Sequence, residues 1–266
     1  MTLNSKEGSF CCVEVSIKDR IVTQGSKGNQ SKWLKHGKWY KADYLGYEGL
    51  AEYVCSEVLK RSSVSNFIKY SPILIREKES GKTYKGCCSE DFGVFMSGEI
   101  VLLQLPEKYN VFLEPRKTLA ENIEVFCRGV QQRFKTNIKR EFLEMLQFDQ
   151  VVGNEDRILR NFGLKEEDST FKFMPLFDHG LSLLSDLSSN ERNYRIKDIV
   201  FRPFYLTQAE IIAAQGLGQP LLKIKKDEVF SLQLDSTVYE EKEIKHVLNI
   251  LYESMERTEG IFWNKI

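Results

Sequence analysis

No stretch of the 266 residues approaches the ~20 consecutive apolar positions of a membrane helix, so no helical span is expected. Met1 to Glu14 lacks a basic start followed by an apolar run, which argues against a secretory leader. An excess of one charge is also missing. Lys plus Arg and Asp plus Glu number 38 each, which gives no general attraction to nucleic acid or an anionic membrane; neither is expected as a partner. Cys11, Cys12, Cys55, Cys87, Cys88 and Cys127 contain two adjacent pairs but no C-x2-C metal spacing. A chain of this length does not need disulfide staples, so they read as reduced thiols of a cytoplasmic protein. His36 and His246 have no ligand spacing and read as solvated or capping residues. A Walker A loop is absent: Gly81-Lys82-Thr83 resembles its end, but Arg76 stands where its first glycine belongs. No internal repeat or low-complexity tract is visible.

What remains is a globular composition, 42% apolar and 29% charged, in a chain long enough for two lobes. The first part reads as strands with one helix. Phe10 to Ile17, Trp39 to Asp43, Pro72 to Ile75 and Ile100 to Leu103 are strand candidates. Gly49 to Arg61 reads as a helix with Leu50, Val54, Val58 and Leu59 on its apolar stripe. From about residue 117 helices dominate. Thr118 and Glu121 have capping-box spacing. Ile138 to Val152 buries Phe142, Met145, Leu146 and Asp149 on one side, and Thr207 to Gln215 and Glu240 to Glu256 follow as helices. Phe171 to Phe177 reads as extended. The expected class is α+β and two-lobed. A strand-rich lobe spans residues 1–105, a helical lobe spans 106–266, and a nucleotide site lies in the cleft between them.

The chemistry centres on Asn154-Glu155-Asp156-Arg157-Ile158-Leu159-Arg160-Asn161-Phe162 and Leu176-Phe177-Asp178-His179-Gly180. Asp156 can orient or deprotonate an attacking hydroxyl. Asn161 offers an amide oxygen to a hard cation, and Asp178 can hold magnesium against nucleotide phosphates. Phosphoryl transfer needs this set, because its catalysis is mostly positioning and charge neutralisation. Each residue alone also reads as an ordinary turn residue; the order of the three carries the signal. Upstream, Lys41 sits mid-strand and Glu52 on the following helix, the spacing of a phosphate-binding lysine and the acid that steadies it. Lys35 and Lys38 compete with Lys41, and Glu57 with Glu52. Gly25, Ser26 and Gly28 lie in a polar segment that reads either as a phosphate-covering loop or as a plain hairpin turn. Ser26 and Ser31 are candidate self-phosphorylation sites. Cys87-Cys88-Ser89-Glu90 is a candidate connector against adenine, and Arg202-Pro203-Phe204 a candidate support of the catalytic loop.

The segment Val152 to Gly163 followed by Pro175 to Leu183 resembles the catalytic and magnesium segments of HipA-like kinases, whose pattern is close to G-N-x-D-R-H-x-x-N-F-G followed by P-[LI]-[FY]-D-x-G. Trp39-Tyr40-Lys41 and Ala51 to Cys55 resemble that family's ATP-lysine strand and its glutamate-bearing helix. The short chain suits the small CtkA-type members, and the core is shared with phosphatidylinositol kinase-like folds. The resemblance implies a kinase-like fold, ATP and Mg2+ as cofactors, a protein substrate and serine/threonine kinase activity. By matching position Asp156 is the catalytic residue, Asn161 and Asp178 hold the metal, and Lys41 and Glu52 serve the nucleotide. The chain departs from the family at Ile158, in place of histidine, and at Glu155, which sets a second carboxylate beside Asp156. His179 after Asp178 either packs under the loop or touches the nucleotide. The alternatives are a lipid or small-molecule kinase of the same fold, or a silent nucleotide-binding module.

Overall fold

Short β-branched and aromatic runs separated by turn residues build one sheet in the first third of the chain. The computed structural model describes residues 12–21, 30–106, 118–187, 195–202, 205–214, 217–235 and 237–266. Gly25, Ser26 and Gly28 lie outside the described residues, as do Pro203 and Phe204.

The sheet comprises β1 (Cys12–Val15), β2 (Arg20–Ile21), β3 (Lys32–Lys35), β4 (Lys38–Ala42), β5 (Ser71–Glu77) and β6 (Thr83–Glu90), in the order β1-β5-β6-β4-β3-β2. β1 runs parallel to β5, and the other pairings are antiparallel. His36 and Gly37 turn β3 into β4 with φ of 51° and 72°. Positive φ at both central residues matches a two-residue hairpin turn, so His36 is a turn residue. Alternation gives the sheet two faces. Val15, Trp33, Tyr40, Ala42, Ile73 and Ile75 form a small core of their own on one face. Lys41 and its cross-strand neighbour Cys87 belong to the other.

That second face meets α1 (Glu48–Leu59), whose start is built from acids. The Glu48 carboxylate accepts the N–H groups of Leu45 at 2.7 Å and Gly46 at 3.1 Å, and Asp43 accepts that of Gly49 at 2.6 Å. These bonds satisfy donors at the helix start and suit its dipole. Glu52 follows one turn on. Leu50, Val54, Val58 and Leu59 are all buried in the main core, as the stripe predicts.

After β6 the chain crosses to the helical part through residues 91–95. Cys87, Cys88, Ser89 and Glu90 therefore lie inside a strand, and the connector begins at Asp91. Next come β7 (Met96–Ser97) and α2 (Gly98–Leu103). The run Ile100 to Leu103, expected as a strand, is thus a helix. Ser97 caps it by accepting the Ile100 N–H, Val101 is buried, and Leu103 stays 80% exposed. A four-residue apolar run cannot separate the two periods. Thr118 and Glu121 close a capping box ahead of α3 (Leu119–Phe134), and α4 (Lys139–Val152) ends at Gly153, φ 65°. β8 (Gly163–Glu167) and β9 (Thr170–Phe173) complete a ribbon with β7. β10 (Val200–Phe201), β11 (Leu206–Thr207), α5 (Gln208–Ala213), β12 (Leu222–Ile224), α6 (Lys226–Phe230), α7 (Glu241–Thr258) and β13 (Trp263–Lys265) finish the chain. No helix among the described residues is long and apolar enough to cross a membrane, and Cys12, Cys55, Cys87, Cys88 and Cys127 are free thiols.

The last long helix braces the sheet. Tyr239, just ahead of α7, donates to Asp43 at 2.8 Å, and Glu243 pairs with Lys85 of β6 at 2.8 Å. Burial outweighs these bonds at Asp43 and pushes its carboxyl up to about 7. A raised acid contributes stability that is fully present below its unfolded value near 3.8 and is lost as pH rises through about 7. Denaturation between pH 4 and 8 is therefore expected to show wild-type stability falling relative to Asp43→Asn, which has no charge to gain, accepts the Gly49 N–H on its amide oxygen and meets the Tyr239 hydroxyl with its amide N–H. Parallel pH profiles would contradict this.

Candidate active site

Three segments distant in sequence meet at one ammonium. Lys41, on the α1-facing side of β4, reaches Glu52 Oε1 at 2.6 Å and Asp178 Oδ1 at 2.7 Å. Tyr70, just before β5, places its hydroxyl 3.5 Å from Lys41 Nζ and its ring under that ammonium at 5.1 Å. The competitors separate cleanly. Lys35 donates to the Glu14 carbonyl, Lys38 pairs with Glu90 at the surface, and Glu57 pairs with Arg61. Burial would lower the Lys41 pKa, but Asp178 and Glu52 overcome it and hold the group cationic. One cation cannot neutralise two carboxylates equally. Burial raises both acids; at Asp178 the pull of Lys41 and then Lys32 wins and the pKa falls far below the ordinary range. At Glu52 burial wins over Lys41, so its pKa rises.

Asp178 is set by its backbone as well as its charge. Its φ is 59°, a left-handed value that aspartate tolerates better than most residues. Its N–H donates to Tyr70 Oη at 3.4 Å, and the N–H of His179 donates to Glu52 Oε2 at 2.8 Å. The His179 ring is buried edge-on against Phe148. Burial, then the charge of Arg157, keeps it neutral with a pKa well below 6.5. It packs beneath the loop. On the other side of Asp178, the rings of Phe92 and Phe95 stand 5.0 and 5.5 Å from that of Phe177. They form an apolar surface where the connector meets the Asp178 segment.

The second motif is ordered by a fully buried guanidinium. Arg157 makes a two-point contact with Asp149 of α4, at 2.8 and 3.0 Å. Its Nη1 donates to the carbonyls of Asn161 at 2.6 Å and Phe177 at 2.7 Å. One side chain thereby joins the loop bearing Asn161 to the segment bearing Asp178. Asn154 donates to Asp149 and accepts the Asp156 N–H at 3.1 Å, and the Asn161 amide donates to the Asp156 carbonyl at 2.8 Å. The Asp156 carboxylate meets Arg202 Nη1 at 3.0 Å, so the expected support of the loop arrives through Arg202.

The sequence-based candidates Lys41, Glu52 and Asp178 are in contact, and Asp156 and Asn161 share one loop linked to Asp178 through Arg157. Tyr70 and the Asp149–Arg157 pair were not anticipated as parts of the site. A carboxylate on the buried stripe of α4 was the available signal for an interior cation; nothing local marks Tyr70.

The donors suit a hard cation that arrives with its own oxygen ligands. Lys41 takes Asp178 Oδ1, while that side chain stays 23% exposed. The Asn161 amide nitrogen is committed to the backbone, leaving its oxygen as the atom it can offer. Among the described residues no group of three or more His, Cys, Asp or Glu is placed to hold a metal ion.

No protein-family model and no curated protein matches the sequence. Solved structures do. The Helicobacter pylori proinflammatory kinase CtkA is 14% identical, with 92% of this chain and 97% of that chain covered at a TM-score of 0.54. HipA of Shewanella oneidensis MR-1, solved with HipB and operator DNA, is 16% identical over 90% of this chain and 65% of that one, at a TM-score of 0.48. The likeness to CtkA identifies a two-lobed, kinase-like α+β fold.

Removing one partner of a buried ion pair leaves the other charge stranded. Asp149→Ala is expected to cost about 3–5 kcal/mol in urea denaturation, whereas Lys38→Ala at the exposed Lys38–Glu90 pair should leave the midpoint nearly unchanged. Equal costs would remove Arg157 from the centre of the site.

Proposed function

We propose that the protein is an ATP- and magnesium-dependent phosphotransferase acting on serine or threonine hydroxyls of a protein. The observation that carries this reading is the convergence of Lys41, Glu52 and Asp178, with the Asp156–Asn161 loop joined to the Asp178 segment through Arg157. In a kinase-like fold these are the parts that phosphoryl transfer needs: a cation for the phosphates, an acid that aims it, oxygen ligands for a metal, and a carboxylate for the acceptor. We take residues 1–105 and 106–266 as the lobes. The free thiols fit a reducing, cytoplasmic setting.

In this reading Glu52 holds Lys41 while the ammonium shifts its second contact from Asp178 to a phosphate oxygen. Asp178 and Asn161 hold magnesium, which when bound neutralises charge on the phosphates. Phe177, Phe92 and Phe95 supply apolar rings for the base. Asp156 orients the acceptor hydroxyl and takes its proton, and its pairing with Arg202 keeps the carboxylate aimed until the acceptor enters. The glycines Gly25 and Gly28, with Ser26, are assigned to the phosphate cover on their sequence pattern. CtkA is itself described as a kinase, which adds to the reading.

The test is transfer of labelled γ-phosphate from ATP to the protein itself and to a panel of added proteins, lipids and small alcohols. Labelling is expected to require magnesium and to fall by roughly 10²-fold or more in Asp156→Asn and in Asp178→Ala. Labelling that survives in both variants sinks the assignment. A wild-type protein that binds ATP but never transfers phosphate is a silent module, and transfer confined to a lipid or small alcohol replaces the protein acceptor.

A further inference from the structure

A second lysine faces the same site. Lys32 of β3 stands directly opposite Lys41 of β4 in the antiparallel register. Directly opposed residues share a face of the sheet, with Cβ atoms roughly 5 Å apart. Like charges in that arrangement destabilise a sheet. The other lysines of this hairpin find partners: Lys35 a carbonyl, Lys38 a carboxylate. Lys32 is half-buried, and no carboxylate among the described residues lies within ion-pairing distance of it. Its register places it on the face that carries Lys41, the face turned toward Glu52 and Asp178.

The charge balance gives this placement a purpose. Lys41 is already engaged by two acids, and the triad Lys41–Glu52–Asp178 carries one more negative than positive charge when fully ionised. A polyphosphate brought to that triad would meet net repulsion. Lys32 supplies the missing positive charge and is in no ion pair among the described residues.

We propose that Lys32 is a second phosphate-binding lysine, which with Lys41 holds the polyphosphate of the nucleotide above Asp178. The proposal rests on the nucleotide-binding reading above and names a residue in that site. It also accounts for a like-charge pair at the open end of the β3–β4 ladder: the repulsion without ligand is exchanged for two charge-assisted bonds when an anion binds.

The experiment is calorimetric titration of wild type, Lys32→Met and Lys32→Arg with ATP, ADP and adenosine, alongside the melting temperature of each protein without ligand. Losing a charged hydrogen bond corresponds to roughly a ten- to hundredfold loss of affinity. Lys32→Met should lose that much for ATP and ADP and nothing for adenosine. Its ligand-free melting temperature should equal or exceed that of wild type, because repulsion is relieved, and Lys32→Arg should regain phosphate affinity. A merely structural lysine would instead lower the melting temperature or weaken all three ligands alike, overturning the proposal. Unchanged ATP and ADP affinity in Lys32→Met would overturn it while leaving the nucleotide site in place. A wild-type protein that binds neither ATP nor ADP would remove both readings.

Discussion

A guanidinium with no access to water is costly unless every donor has a partner and the charge has a counter-ion. Each nitrogen of Arg157 has a partner and Asp149 is its counter-ion, and this arrangement organises the site. The counter-ion comes from α4, and Nη1 donates to one carbonyl in the Asp156–Asn161 loop and one beside Asp178. Neither segment can move far without leaving a buried charge short of a partner. The second buried cation, Lys41, repeats the device across the cleft, binding β4 to α1 and to the Asp178 segment. The two cations are linked through the short segment Phe177-Asp178, so buried charge fixes sheet, helix and loop at the site, in addition to the apolar core that α1, α4 and the loop share.

Much of the site was legible in the sequence because its chemistry sits at short, fixed separations. Asp156 and Asn161 occupy one loop, and Asp178 is delivered by the segment that follows. Choosing Lys41 over Lys35 and Lys38 was a different kind of problem. All three lie on one hairpin, and only the facing of β4 toward α1 distinguishes them. That facing is a property of strand pairing, which is non-local. Lys32 escaped notice for the same reason: its relation to Lys41 exists only in the register. Ile100 to Leu103 was misread because four apolar residues carry no period, and what decides their conformation is the Ser97 cap and the buried side of Val101. Cys87 to Glu90 reads as a connector because it falls between the strands of the first lobe and the helical part; its pairing with β4 and β5 on both edges makes it part of a central strand.

The sheet divides its labour between its faces. Trp33, Tyr40 and Ile75 give one face a core that is separate from the main one, so the strand lobe has cohesion of its own. The other face is left for charge. This separation lets lysines stand opposite one another at the cleft without weakening the sheet's own packing.

The brace from α7 has a consequence for the site. The bonds from Tyr239 to Asp43 and from Glu243 to Lys85 tether the start of α1 and the strand beside Lys41 to the chain's own last long helix. Both tethers come from the chain itself, so the setting of α1 against β4, and with it the Lys41–Glu52 contact, is made within the folded chain.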